Sequence, residues 1–295
     1  MKSQRLAGCG TALVTPFTKS GEIDERSLRA FVDWQIASGV HFLVPCGSTG
    51  EAATMTVAEH RRVVEITVEQ TAGRIPVVAG AASNDTKKAI ALSREMESAG
   101  ATHLLHASPM YNKPPQRGIV AHFRAVAAAT ELPVVVYNIP ARVVVNIEPK
   151  TISELARIEN VRAVKQANDD LDQARHIVDA GLDLYAGDDY VLMPFLELGG
   201  LGGICVHTHI VGPQVKEIVR LARAGDLDAA RALNAETQPA LDILKVVGNP
   251  IAIKGALNLL GHDVGGHRLP LVPPTEDELA QIRALLERQG LLVAA

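Results

Sequence analysis

Aromatic residues are scarce in this chain. One Trp, four Tyr and five Phe make up 3% of its 295 residues. That leaves little material for the stacking platforms that bind single-stranded nucleic acid. Positive charge is not in excess either: 29 Lys and Arg stand against 33 Asp and Glu, a net charge of −4. A nucleic-acid binder working through a broad basic surface is therefore disfavoured. Cysteines are few. Cys9, Cys46 and Cys205 are odd in number and form no CxxC pair. The expectation is a reduced, cytoplasmic protein rather than a disulfide scaffold. No apolar run approaches the ~18 residues of a membrane span. Leu6-Ala7-Gly8-Cys9 mimics a lipoprotein cleavage box. A signal peptide needs an apolar stretch of ~7–15 residues before such a box, and Arg5 stands there instead.

What the chain has is alternation. Hydrophobic residues are 47% and charged residues 21%, an ordinary globular balance. Short β-rich runs fall at 10–14, 40–45, 75–79, 102–106, 133–137, 161–165, 182–186 and 203–206. Amphipathic stretches fall between them, at 25–38, 57–72, 85–99, 116–129, 149–157, 169–180, 189–198 and 212–224. Alternating units of this length predict a parallel sheet with helices outside. Eight of them close into a (β/α)₈ barrel, the TIM-barrel α/β class. The rival is an open doubly wound sheet, but no G-x-G-x-x-G opens the first helix. From residue 226 the pattern turns to helix only, at 226–245, 250–260 and 276–289. The expected division is a barrel over 1–225 and a C-terminal helical extension over 226–295.

Barrel enzymes carry their chemistry at the C-terminal ends of the strands. Lys165 ends the sixth predicted strand. Alternation places it on one face with Val161 and Ala163. If that face is the barrel interior, desolvation lowers the amine's pKa and favours a neutral nucleophile able to form a Schiff base. The alternative is a lysine that snorkels to the mouth. Tyr137 ends the neighbouring strand and offers a phenol for proton transfer, or an ordinary rim anchor. Gly47-Ser48-Thr49-Gly50-Glu51 follows the second strand. Its backbone N–H groups can cup a carboxylate or phosphate, or simply make a turn. Arg142 can fork onto a carboxylate, though surface arginines are commoner. His207 and His209, with Asp188 and Asp189 on the preceding strand end, form a rival metal set. Residues i and i+2 of a strand share a face, so both imidazoles are expected at the mouth. Against it, Asp188 and Asp189 also read as helix N-caps.

Several segments together resemble the pyruvate-dependent class I aldolases of the dihydrodipicolinate synthase and N-acetylneuraminate lyase superfamily. They are Gly10-Thr11-Ala12-Leu13-Val14-Thr15-Pro16-Phe17, Val44-Pro45-Cys46-Gly47-Ser48-Thr49-Gly50-Glu51, Tyr111-Asn112-Lys113-Pro114 and Tyr137-Asn138-Ile139-Pro140. Ala186-Gly187-Asp188-Asp189, Asn249-Pro250-Ile251, Lys254 and Arg268-Leu269-Pro270-Leu271 complete the set. The resemblance spans nearly the whole chain. It implies a barrel with a C-terminal helical domain, assembled as a homotetramer. It implies that Lys165 forms the Schiff base with pyruvate and that Tyr137 is the acid/base group over it. Ser48 and Tyr111 complete a hydroxyl relay, Tyr111 being supplied to a neighbouring subunit. Thr49, beside Gly47, takes the pyruvate carboxylate. Arg142 takes the carboxylate of the second substrate, and Ile204 places a backbone carbonyl near the lysine. No cofactor and no metal are implied.

Tyr111-Asn112-Lys113-Pro114 and Pro140-Ala141-Arg142 resemble the synthase branch. This implies condensation of pyruvate with L-aspartate 4-semialdehyde. A 2-keto-3-deoxy sugar acid or N-acetylneuraminate aldolase or dehydratase is the alternative within the superfamily. A metal-dependent hydrolase on His207, His209 and Asp188 is the alternative outside it. Ser48, Val143-Val144, Gln166, Asn168, His207 and His209 depart from the branch's usual residues and are expected to line or approach the mouth. Lys88 and Met110 stand where lysine-inhibited members carry a carboxylate and a tyrosine. A cation facing the inhibitor's ammonium repels it, so weak or absent inhibition by lysine is expected.

Overall fold

The computed structural model describes residues 5–293. Eight parallel strands alternate with helices. They are β1 Gly8–Ala12, β2 Phe42–Val44, β3 Val78–Gly80, β4 His103–Ala107, β5 Val134–Asn138, β6 Val161–Gln166, β7 Asp183–Ala186 and β8 Gly202–Cys205. Hydrogen bonding orders them β2-β1-β8-β7-β6-β5-β4-β3. A single parallel bridge, Leu43 to Val77, joins β2 to β3 and brings the ring round. The expected TIM barrel is what forms. The strands are short and, β6 Arg162 apart, largely buried on both faces, which is why they read as aliphatic runs rather than alternating ones.

The first helices are α1 Glu25–Ala37, α2 Val57–Thr71, α3 Thr86–Ser98 and α4 Gln116–Ala127. A short α5, Pro140–Val143, precedes α6 Pro149–Leu155. Then follow α7 Leu171–Asp179, α8 Leu192–Glu197 and α9 Thr208–Arg223. Their starts are chemically marked. Asp24, Thr56, Asp85, Asp170 and Asp226 each accept a backbone N–H of the first turn of the helix they open. After residue 225 only helices follow: α10 Leu227–Glu236, α11 Gln238–Val246, α12 Ile251–Leu259 and α13 Glu276–Arg288. The expected helix over 226–245 is two, broken at Thr237 with a proline opening the second. The ends of the expected division that fall on 1–4 and 294–295 lie outside the described residues.

Local chemistry moves some boundaries. β3 begins at Val78, not 75, because Pro76 has no N–H to give the ladder. β1 begins at Gly8 rather than residue 10, pairing with Gly202 of β8. β3 can end close against the second loop because Gly80 lacks a side chain: a Cβ there would lie 2.0 Å from the Cys46 carbonyl oxygen. The helix expected at 212 starts at Thr208, with Val211 non-helical just before Pro213.

Candidate active site

Tyr137 of β5 and Lys165 of β6 are register partners, so their side chains enter the barrel side by side. The Lys165 amine sits 4.2 Å from the centre of the Tyr137 ring. Gly187 leaves room for it: a Cβ there would lie 2.7 Å from Lys165 Cγ. Lys165 is only 5% exposed. Burial pulls its pKa down to about 8, against the opposing pull of Cys205, Asp189 and Asp188. Among the described residues no carboxylate or carbonyl hydrogen-bonds this amine. Burial pushes the Tyr137 phenol up, so it stays protonated.

The pair opens into a cavity of about 280 Å³. Gly47, Ser48, Thr49 and Arg142 share its lining, with Asp188 and Asp189. The loop after β2 is a tight turn: Gly50 and Glu51 donate their N–H groups to Gly47 and Ser48 carbonyls. The Ser48 and Thr49 N–H groups have no protein acceptor among the described residues. This is the nest a small carboxylate needs. The Thr49 hydroxyl accepts from Asn249 Nδ2 at 2.9 Å. Arg142 stands at the exposed rim and donates to the Asn249 carbonyl at 3.2 Å. Leu244 and Asn249 of the helical extension therefore complete the mouth. Neither lies at a strand end, so the barrel rule points to neither.

Two expected residues stand apart. Ile204 is fully buried in β8, paired with Gly10, and does not line the cavity. Tyr111 is 86% exposed on the loop after β4, with a left-handed φ of 72°. It is not part of this chain's own cavity.

The histidine set is corrected. β8 ends at Cys205, so His207 and His209 are not strand neighbours on one face. His209 lies in the first turn of α9, stacked on Phe31. It receives the Val14 N–H and donates to the Val206 carbonyl. Burial holds its pKa down to about 4, so it is neutral. His207 turns the other way and hydrogen-bonds Asp189. One ligand atom each of Asp189, Cys205 and His207 fits within 4.8 Å. The Asp189 carboxylate, however, already accepts from Val206 N, His207 N and His207 Nδ1. Asp188 caps the following turn through Tyr190 N, as its N-cap reading requires. Gln166 is corrected too. It points outward and joins an amide network with Asn138, Asn168 and Gln173 behind the strands. It braces β5 and β6 rather than lining the mouth.

The sequence profile of the Dihydrodipicolinate synthetase family matches residues 5–289. The chain belongs to this family. It is 42% identical over 289 residues to a 4-hydroxy-tetrahydrodipicolinate synthase of Maridesulfovibrio salexigens, covering 97% of this chain and 99% of that one. Two solved structures are also close. The chloride-inhibited dihydrodipicolinate synthase of Acinetobacter baumannii, complexed with pyruvate, matches with a TM-score of 0.95 at 35% identity. That match covers 98% of this chain and 100% of that one. The enzyme of Cyanidioschyzon merolae with lysine bound matches with a TM-score of 0.94 at 36% identity, covering 97% and 99%. Members of a family so matched share the barrel, and this chain's lysine, phenol and hydroxyl loop sit at its mouth.

Proposed function

We propose that this chain condenses pyruvate with L-aspartate 4-semialdehyde to give 4-hydroxy-tetrahydrodipicolinate, as a Schiff-base-forming lyase. The observation that carries the reading is the unpaired, buried Lys165 amine against Tyr137, facing an open carboxylate nest. The neutral amine attacks the pyruvate C2 carbonyl and the oxygen leaves as water, giving an iminium. Thr49 and the Ser48 and Thr49 N–H groups hold the pyruvate carboxylate. Loss of a proton from C3 gives the enamine, whose C3 attacks the aldehyde carbon. Tyr137, kept protonated by burial, passes protons to the oxygens that need them. Arg142 at the rim takes the second substrate's carboxylate. The second substrate's amine then adds to C2, closes the ring and displaces Lys165.

The reading needs no resident cofactor or metal. It places the enzyme in the cytoplasm; among the described residues no helix is long and apolar enough to cross a membrane. The division at 225/226 is part of it, with the helical unit supplying Asn249 to the barrel's Thr49. So is a homotetramer in which exposed Tyr111 serves a neighbour's site and Ser48 links it to Tyr137. Mixing two inactive variants, Lys165→Met and Tyr111→Phe, then restores activity through mixed subunits; no recovery after subunit exchange overturns the sharing.

Free lysine is not expected to restrain this enzyme, because Lys88 presents an exposed ammonium where a lysine ligand would bring its own. In a coupled synthase assay, inhibition below ~1 mM overturns this.

The deciding test is pyruvate plus sodium borohydride, followed by intact-protein mass spectrometry and peptide mapping. A reduced pyruvate adduct on Lys165 is expected, and its absence from folded protein rejects the reading. Turnover of aspartate semialdehyde against a panel of sugar-derived aldehydes then fixes the acceptor. A faster sugar-type acceptor moves the assignment to the lyase branch.

A further inference from the structure

The Schiff base on Lys165 turns a neutral amine into a cation inside the barrel. A buried cation needs a counter-charge. The groups that face this amine are the Tyr137 ring from β5, Arg142 from the turn after it, Asp188 and Asp189 after β7, and Cys205 from β8. Arg142 is of the wrong sign. Cys205 is a thiol pushed far up by burial, so it carries no charge. Asp188 is exposed at the mouth, and desolvation by its neighbours pushes its carboxyl up. Asp189 differs from all of these. Burial pushes it up too, but His207 and the backbone N–H groups of His207 and Val206 outweigh that and hold it ionised.

We propose that Asp189 is the counter-charge for the iminium on Lys165, and that His207 is the positioning residue that holds it there. Asp189 is 4% exposed and lines the same cavity as Lys165. Three N–H donors fix its Oδ1, so the carboxylate cannot swing toward the ammonium and trap it as a tight ion pair. His207 is fully buried, and its Nε2 has no partner. The Asp189 carboxylate is thus fixed before the reaction starts, which is what makes such a charge useful when a cation forms. His209, the other titratable group on this helix turn, is neutral and faces Phe31 and Val14.

This rests on the Schiff-base reading of Lys165, and the test separates the two. Borohydride trapping of pyruvate is followed against pH in the full-length protein. If the parent protein gives no adduct at any pH, the Schiff-base reading fails and this inference with it. If the parent traps, Asp189→Asn is read next. Losing the negative charge lowers the amine's pKa, so the acid limb moves down by about 1 pH unit. The iminium loses its counter-charge, so KM for pyruvate rises by about five- to tenfold. His207→Leu, which removes a donor, shifts both in the same directions by less. His207→Gln, which restores an N–H donor, brings both back. Where Asp189→Asn does not fold, the Leu and Gln pair decides alone. An unmoved acid limb with lowered turnover means a structural role and overturns the proposal. So does an equal shift from Asp188→Asn, which would mean that any nearby carboxylate suffices.

Discussion

Among the described residues two lysines are buried, and their partners set them apart. Lys165 and Lys254 each lie against an aromatic ring, 4.2 Å from the centre of Tyr137 and 4.5 Å from that of Phe17. Burial lowers the pKa of both. Lys254, in α12, donates to Glu51 at 2.8 Å and to the Gly266 carbonyl at 2.6 Å. Glu51 also accepts the Arg268 N–H. That amine is paired with a carboxylate and joins the C-terminal helices to the loop after β2. Lys165 has no such partner, and it faces a cavity. A buried lysine with a carboxylate is a strut; one without is a nucleophile held in reserve.

The sharpest way to break this comparison is to exchange each amine for a methylene chain. Lys165→Met is expected to bring turnover to background and abolish the borohydride adduct, while the fold stays intact. Residual adduct elsewhere would show that Lys165 is not the nucleophile. Lys254→Met is expected to do the reverse. It leaves the Glu51 carboxylate buried without its ion partner, a loss of about 3–5 kcal/mol by chemical denaturation. Trapping at Lys165 should persist, with a higher KM for pyruvate because Glu51 ends the loop carrying Thr49. Adding Glu51→Gln to Lys254→Met should recover part of the stability. If Lys254→Met is as stable as the parent, the strut reading is wrong.

The strut was hidden in the sequence and the nucleophile was not. Lys165 stood out because one cation closes an otherwise mostly apolar strand, and strand ends are where barrels do chemistry. Tyr137 followed from the same rule, one strand over. Glu51 and Lys254 are 203 residues apart, and no local period joins them. Asn249 was invisible as a site residue for the same reason: only the packing of the helical extension brings it to Thr49. The metal set of His207 and His209 fails because strand alternation stops at Cys205, the end of β8, and the chain turns into a helix from Thr208. Gln166 was misplaced by one step of the same alternation, which puts Lys165 inside and its neighbour outside. Strand existence was legible throughout. Ends were not, because they are set by cross-strand events such as Pro76 and the Gly8–Gly202 approach.

The smallest effect is the most diagnostic, because it asks whether Lys165 strains the fold. Its pKa falls from 10.5 to about 8 when the protein folds. Between those values the unfolded chain holds more protons than the folded one, so stability rises with pH across that window. Below about 8 the ammonium must be buried charged, and the residue is at its most costly. Lys165→Met removes that cost. At pH 7 the variant is expected to be more stable than the parent by about 1–3 kcal/mol. The advantage should shrink as pH climbs past 8 and vanish near 10.5, read from denaturation midpoints at each pH. Lys254→Met must differ in sign at pH 7, since its loss leaves Glu51 buried without its ion partner and is destabilising there. A Lys165→Met advantage that is flat with pH would trace to packing alone. The desolvated amine, and with it the contrast between the two lysines, would then fall.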